Sequence, residues 1–262
     1  METLVRVVEA QGPMTVRGAY YAASVAGAVD KTEGGYRKVS RLLVKMREEN
    51  LIAWSAITDG TRWRRGPVTY RGIDEALQDT ARLYRRGLWE QAPERVEVWL
   101  EKEALAGVVV PITAEWTVDL MVCRGYPSRT FLYSAIEDAR AQQKPLVIYY
   151  LGDHDPSGAD IPRYIRAEFE KYDADFRLVQ LAVLPEQIDE WDLPTRPTKR
   201  SDSRSNGFDS RSVELDAIPP DRLRSLVDDA IREHVDERQV AVLRAYEDDE
   251  RRLLHELARR GA

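Results

Sequence analysis

The sequence predicts an α/β protein in two parts: a small helical, basic unit over residues 1–93, and a parallel-sheet unit with a helical C-terminus over residues 94–262. Three observations carry this. Beyond Pro93 the apolar runs VEVWL, TVDLMVC, PLVIYYLG and FRLVQLAV are short and continuous and are separated by helical stretches, as buried parallel strands are. Before Pro93 the clearest signal is helical, with apolar residues three and four apart. Charge also changes sign at this point: residues 1–93 hold 15 Lys and Arg against 11 Asp and Glu, the remainder 24 against 34, for −6 overall.

Composition excludes several classes. The one cysteine, Cys123, cannot form an internal disulfide and fits a reducing cytoplasm. No apolar run approaches the roughly 18 residues of a membrane span. METLVRVVEAQ, with Glu2, Arg6 and Glu9, is neither a basic leader nor a cleavable apolar segment. There is no internal repeat and no GxxxxGKS loop, which argues against a self-contained ATPase motor.

In chain order, Gly12-Pro13 marks a turn, and the alanine-rich TVRGAYYAASVAGA forms a helix capped near Thr15. Asp30 to Gly35 breaks it, and a second helix runs from Tyr36 to Asn50. Its Tyr36, Val39, Leu43 and Met46 form a buried stripe, while Arg37, Arg41 and Lys45 form a basic one. LIAWSAI reads as a strand, TDGTR as a turn, and WRRGPVTY as a returning strand, with Arg62, Arg64 and Arg65 around it. Two helices and a basic hairpin are the winged-helix form of the helix-turn-helix, so these six basic residues are candidate DNA contacts. An amphipathic helix from Ile73 to Glu90 leads to the boundary. Past it, helices near Glu103 to Val109, Ser128 to Ala141 and Pro156 to Tyr172 separate the strands. Leu193 to Ser212 is polar and reads as a mobile loop, and helices opening at Pro219-Pro220 and spanning about Glu237 to Arg259 end the chain.

The chemistry-bearing residues gather where strands end. Asp153 and Asp155, two apart after a buried strand, point the same way if the backbone stays extended. Glu101 and Glu103 follow VEVWL at a strand end facing the same crevice. Carboxylates at the carboxyl ends of parallel strands suit Mg²⁺, with Mn²⁺ as a substitute, although the same DxD pattern also serves as a turn or a helix cap. Alternation turns His154 away into packing, and His234 and His255 lack zinc-ligand spacing. Tyr20 and Tyr21 are about 100° apart around their helix, so one is expected to be buried. Arg17, four before Tyr21, lies on its face, where a guanidinium favours the phenolate and can hold a phosphate oxygen. Tyr21 is therefore the better nucleophile candidate of the two, with a structural aromatic pair as the other reading.

Taken together and in order, these motifs resemble the A subunit of topoisomerase VI and the related meiotic double-strand-break transesterase. RGAYY, from Arg17 to Tyr21, is similar to that family's Arg-x-x-[Tyr/Phe]-Tyr motif on a winged helix, whose second tyrosine is the nucleophile. WLEKEAL, with Glu101 and Lys102, and DHDPSG, from Asp153 to Gly158, are similar to the Glu-Lys and Asp-x-Asp-Pro-x-Gly motifs of its Toprim domain. GYPSR, from Gly125 to Arg129, lies between them as the family's Gly-Tyr-Pro segment does. Gly18 stands where the family usually has an acidic residue. In the tail, Glu214 in VELDAI is the residue set beside a family acidic segment.

The resemblance covers about Thr15 to Ile161. It implies a Mg²⁺-dependent topoisomerase-like transesterase, an isomerase by class, acting on double-stranded DNA as a homodimer in the nucleoid. Tyr21, Arg17 and Lys102 would be catalytic, and Glu101, Asp153 and Asp155 would bind the metal. Only 16 residues precede Arg17, so it further implies a minimal A-like protein without the extension that engages an ATPase B-type subunit, and with no requirement for that subunit. Two alternatives stay open: a Toprim hydrolytic nuclease using water, and a non-catalytic winged-helix DNA binder.

Overall fold

The computed structural model describes residues 1–58, 66–198, 208 and 211–260. In its N-terminal part, α1 (Glu2–Gln11) buries Leu4 and Val8, one turn apart, and has no counterpart among the elements read from the sequence. A two-residue strand β1 (Met14–Thr15) leads into α2 (Val16–Val25), which begins where the Thr15 hydroxyl accepts the Gly18 N–H at 2.8 Å. Helix α3 (Glu33–Glu48) is capped by Thr32 in the same manner and buries Val39, Leu43 and Met46. Its Arg37, Arg41 and Lys45 are exposed, as the periodicity predicts.

The expected hairpin needs correction. LIAWSAI is not a strand. A single 3₁₀ turn covers Trp54–Ala56, and only β2 (Ile57–Thr58) is extended, pairing in parallel with β1. Arg62, Arg64 and Arg65 lie outside the described residues, and 66–70 carry no strand. Helix α4 (Ile73–Leu83) stops well short of Glu90. From Tyr84 onward the chain bonds to the C-terminal helix instead: the Tyr84 hydroxyl donates to Glu250, and the Arg86 N–H to Glu247.

After Pro93, strands and helices alternate as expected: β3 (Arg95–Leu100), α5 (Ala106–Glu115), β4 (Asp119–Val122), α6 (Arg129–Gln142), β5 (Leu146–Leu151), α7 (Pro156–Lys171) and β6 (Phe176–Ala182). The sheet order is β4-β3-β5-β6, with every neighbour parallel. Because side chains alternate along a strand, Trp99, Ile148 and Tyr150 pack on one face with Leu132, Ile136, Ile165 and Phe169 of α6 and α7. Val98, Leu100, Tyr149 and Leu151 pack on the other, with Val108 of α5. That cluster continues without a break into Leu4, Val8, Leu43 and Met46, so the N-terminal helices share an interior with the sheet. Leu100 pairs with Leu151, which sets the carboxyl ends of β3 and β5 side by side.

Regularity does not fade after Leu184. Helix α8 (Pro185–Glu190) follows, then β7 (Arg196–Pro197) and β8 (Arg211–Ser212), an antiparallel pair near the ends of the expected mobile loop. The rest of that loop, 199–207 and 209–210, lies outside the described residues. Helix α9 (Pro220–Arg232) packs on α5, and α10 (Glu237–Arg260) packs along α4. The chain is thus an α/β protein with a parallel sheet flanked by helices and a helical C-terminal region. Among the described residues no helix is long and apolar enough to cross a membrane.

Candidate active site

Four separated stretches of sequence converge beyond the carboxyl ends of β3 and β5. The return from β8 brings them together: Val213 and His154 exchange backbone hydrogen bonds at 2.8 and 2.9 Å, laying Glu214 to Asp216 across the sheet end. Asp153 Oδ1 accepts the Leu215 N–H at 2.8 Å. From the other side, the Thr15 hydroxyl donates to Asp216 Oδ1 at 2.8 Å, so the residue that caps α2 also ties this helix to the crevice.

Cations and carboxylates alternate across the site. The Arg17 guanidinium lies 2.7 and 2.6 Å from the two Glu214 oxygens, and Arg196 Nη1 lies 2.5 Å from Glu214 Oε1. The Lys102 ammonium stands 2.7 Å from Asp216, 3.2 Å from Asp153 and 3.7 Å from Glu214. Burial alone would push Glu214 up, but Lys102, Arg17 and Arg196 hold it below the usual carboxylate range. Burial opposes the charge of Lys102 as well, and Asp216, Asp153 and Glu214 overcome it, raising the ammonium above its ordinary value.

Glu101 occupies a different environment. Its Oε2 accepts the Asp153 N–H at 3.0 Å and the Tyr150 hydroxyl at 3.2 Å. A Cβ at Gly152 would lie 2.7 Å from that oxygen, and one at Gly158 would lie 3.3 Å from it and 2.1 Å from the Asp153 carbonyl, so both glycines keep the carboxylate's cradle open. Burial, then the charges of Asp153 and Asp155, push Glu101 up to about 7. Asp155 does not point alongside Asp153 as alternation suggests. It is the N-cap of α7, its Oδ1 accepting the Ser157 and Gly158 N–H groups at 3.0 and 2.8 Å. The cap reading of the DxD thus applies to Asp155, whereas Asp153 Oδ1 takes the Leu215 N–H and faces Lys102.

Among the described residues no three Asp, Glu, His or Cys side chains are grouped as a metal ion would hold them. The donor set still fits a hard cation in chemistry: oxygen ligands only, with Glu101 cradled by glycines among acidic neighbours. Glu103 is drawn off to Arg124. His154 packs against Phe208 at a ring separation of 4.9 Å, in line with a packing role.

Both tyrosines are buried, Tyr20 at 8% and Tyr21 at 7% exposure, which corrects the expectation of one. Tyr20 stands edge-on to Tyr36, and Tyr21 lies 5.9 Å beneath the Lys31 ammonium. The phenol of Tyr21 is not eased toward its anion. Burial and then Glu214 push it up to about 12, outweighing Arg196, Arg17 and Lys102, which pull it down. Gly18 is buried between Thr15 and the Asp216 backbone. Beside α2 a cavity of about 540 Å³ is lined by Arg17, Tyr36, Arg47, Lys102 and Asp216. GYPSR is tied to the end of β3, where the Gly125 N–H donates to the Glu101 carbonyl at 3.3 Å.

Asp216, Arg196 and Arg47 escaped the sequence reading. Asp216 had a usable signal, since Glu214-x-Asp216 repeats the two-residue spacing of Asp153 and Asp155. No protein-family model matches the chain, and a search of curated proteins finds no match either.

Proposed function

We propose that this protein is a Mg²⁺-dependent DNA-cleaving transesterase, an N-terminal winged helix carrying Tyr21 and a Toprim-type sheet carrying the acidic residues. The observation that supports this reading is the meeting of Arg17 with Lys102, through Glu214, at one crevice. RGAYY, the Glu-Lys pair and DHDPSG are far apart in sequence, and their meeting at one crevice is what action on one substrate would require. The cavity beside them, with three cations in its lining, suits a backbone phosphate.

In this mechanism the Tyr21 hydroxyl gives up its proton to solvent water as its oxygen bonds to phosphorus. The bond from phosphorus to the leaving sugar oxygen breaks, and that oxygen takes a proton from water. Arg17 and Lys102 hold the phosphate oxygens as charge grows on them. Glu101, Asp153 and Asp155 would hold Mg²⁺, which supplies charge stabilisation when bound. Exposed Arg37, Arg41 and Lys45 on α3 offer sequence-independent contacts to the duplex.

A second reading, a Toprim nuclease that uses water, is favoured by the raised pKa of the Tyr21 phenol and by the clasp of Glu214 on Arg17. One experiment separates the two. Supercoiled plasmid is incubated with the protein and Mg²⁺, quenched in denaturant and run with and without protease. A protein-linked DNA species that protease releases, absent from Tyr21→Phe, is the expected result. Free-ended nicked or linear DNA from both proteins would establish hydrolysis, and intact DNA from both would leave a DNA binder.

A further inference from the structure

Charge is unevenly shared along the crevice. At the sheet end, Lys102 lies between two carboxylates, Asp153 and Asp216. At the Tyr21 end the balance reverses, with two guanidiniums on one carboxylate: Arg17 spans both Glu214 oxygens, and Arg196 lies 2.5 Å from Oε1. The Glu214 side chain is only 3% exposed, whereas those of Arg17 and Arg196 are 44% and 42% exposed. One arginine is enough to neutralise a buried carboxylate. The second adds a like charge beside the first, and each guanidinium has five N–H donors, more than a shared carboxylate can accept.

The fold holds Arg196 in this place. It pairs with Ser212 across β7 and β8, two residues before Glu214, and the carbonyl of its neighbour Thr195 accepts the Lys31 ammonium at 2.6 Å. Lys31 in turn lies 5.9 Å from the Tyr21 ring. Arg17, Arg196 and Lys31 thus gather around Tyr21 and Glu214, and burial together with the Arg196 charge loosens the proton of Lys31. Burial and Glu214 push the Tyr21 phenol up, and of the cations that oppose them Arg196 comes first, ahead of Arg17 and Lys102. Like charges held this close repel, and a second anion would relieve them.

We propose that Arg196 and Arg17 form a clamp for the phosphate that Tyr21 attacks, each giving guanidinium N–H groups to a non-bridging oxygen, with Glu214 holding the place of that anion until DNA arrives. The identity of the phosphate rests on the reading of Tyr21 as nucleophile, whereas the clamp itself needs only a DNA backbone. Planar guanidiniums suit such an oxygen pair. Arg196 lies beyond the Thr15 to Ile161 stretch of the resemblance, and the geometry alone assigns it this role.

The test is duplex binding by the full chain carrying Tyr21→Phe, followed by fluorescence anisotropy over a range of salt, so that no link to Tyr21 can form. Arg196→Ala is expected to weaken Kd about tenfold and to lower the salt slope by about 0.9. Arg196→Lys keeps the slope and recovers part of the affinity, and melting curves check that each variant folds. Glu214→Gln tightens binding, and does so less when Arg196 is alanine, because the anion it removes competes for that guanidinium. With Tyr21 restored, Arg196→Ala slows formation of the protease-sensitive DNA species at saturating protein. An unchanged salt slope in Arg196→Ala, or a Glu214→Gln effect of equal size with and without Arg196, would overturn the clamp and leave Arg196 a partner of Glu214 alone. Cleavage that yields only free-ended DNA would instead overturn Tyr21 as nucleophile, and the binding result would stand.

Discussion

Lys102 Nζ lies 2.7 Å from Asp216 Oδ2, joining the end of β3 to a segment more than a hundred residues later, and it is also within reach of Asp153 and Glu214. An ammonium thus occupies the middle of three buried carboxylates. The site is already built to hold positive charge.

Lys102→Met should therefore be costly, because it leaves those carboxylates crowded without a counter-charge. We expect a loss of about 3 kcal/mol in urea unfolding at pH 7.5. Added Mg²⁺ should raise Tm more in the variant than in the native chain, since a dication can replace the missing charge. Equal shifts in both would separate the acidic group from metal binding.

Glu101 gives a stability profile of definite sign. Its pKa in the fold, about 7, lies above the ordinary 4.5. The folded state therefore binds the extra proton between these values, and stability falls as pH rises through the window. Glu101→Gln keeps an acceptor for the Asp153 N–H and removes the charge. At pH 8 it should raise Tm by roughly 2–4 °C, the shift that about 1 kcal/mol produces in a chain of this size, and at pH 5 it should change little. Calorimetry at the two pH values decides this.

On the proposed mechanism, Tyr21 would set how cleavage responds to alkali. With the phenol pushed up to about 12, the reactive anion is scarce at neutral pH and increases tenfold per unit below that value. Formation of the protease-sensitive DNA species should rise with a slope near one in log rate against pH between 7 and 9. A flat profile would mean that the phenol does not ionise before the limiting step.

The α3 cations should act through counterion release. Their ion pairs with Glu33 and Glu49 are exposed, at 3.4 and 3.6 Å, and cost little to give up. Replacing Arg37, Arg41 and Lys45 by alanine one at a time should reduce the salt slope of duplex binding by about 0.9 per contact, equally for unrelated sequences. Fluorescence anisotropy at several salt concentrations measures it. An unchanged slope would take α3 off the DNA.

Legibility in the sequence followed the range of the forces involved. The two central strands were plain because burial on both faces needs a continuous apolar run, and VEVWL and PLVIYYLG supply it. The cap at Thr15 and the stripe on α3 are local and were equally readable. Partnerships across the chain were not. Thr15 carries no sign that it also bonds Asp216, and Ile57 none that it pairs with Met14. Tyr21 shows the limit best. Its Arg17 neighbour was visible one turn away, but the burial that reverses the expected shift, and the Glu214 that adds to it from far along the chain, were not.

The interior shared by Leu4, Val8, Met46, Val98 and Leu151 has a mechanical consequence. Swinging the N-terminal helices away from the sheet would expose the packed sides of both at once, so there is no soft hinge there for a substrate to open. DNA entering the crevice would have to fit a rigid mouth, and any rearrangement would fall to side chains such as Arg17 and Arg196 exchanging one anion for another.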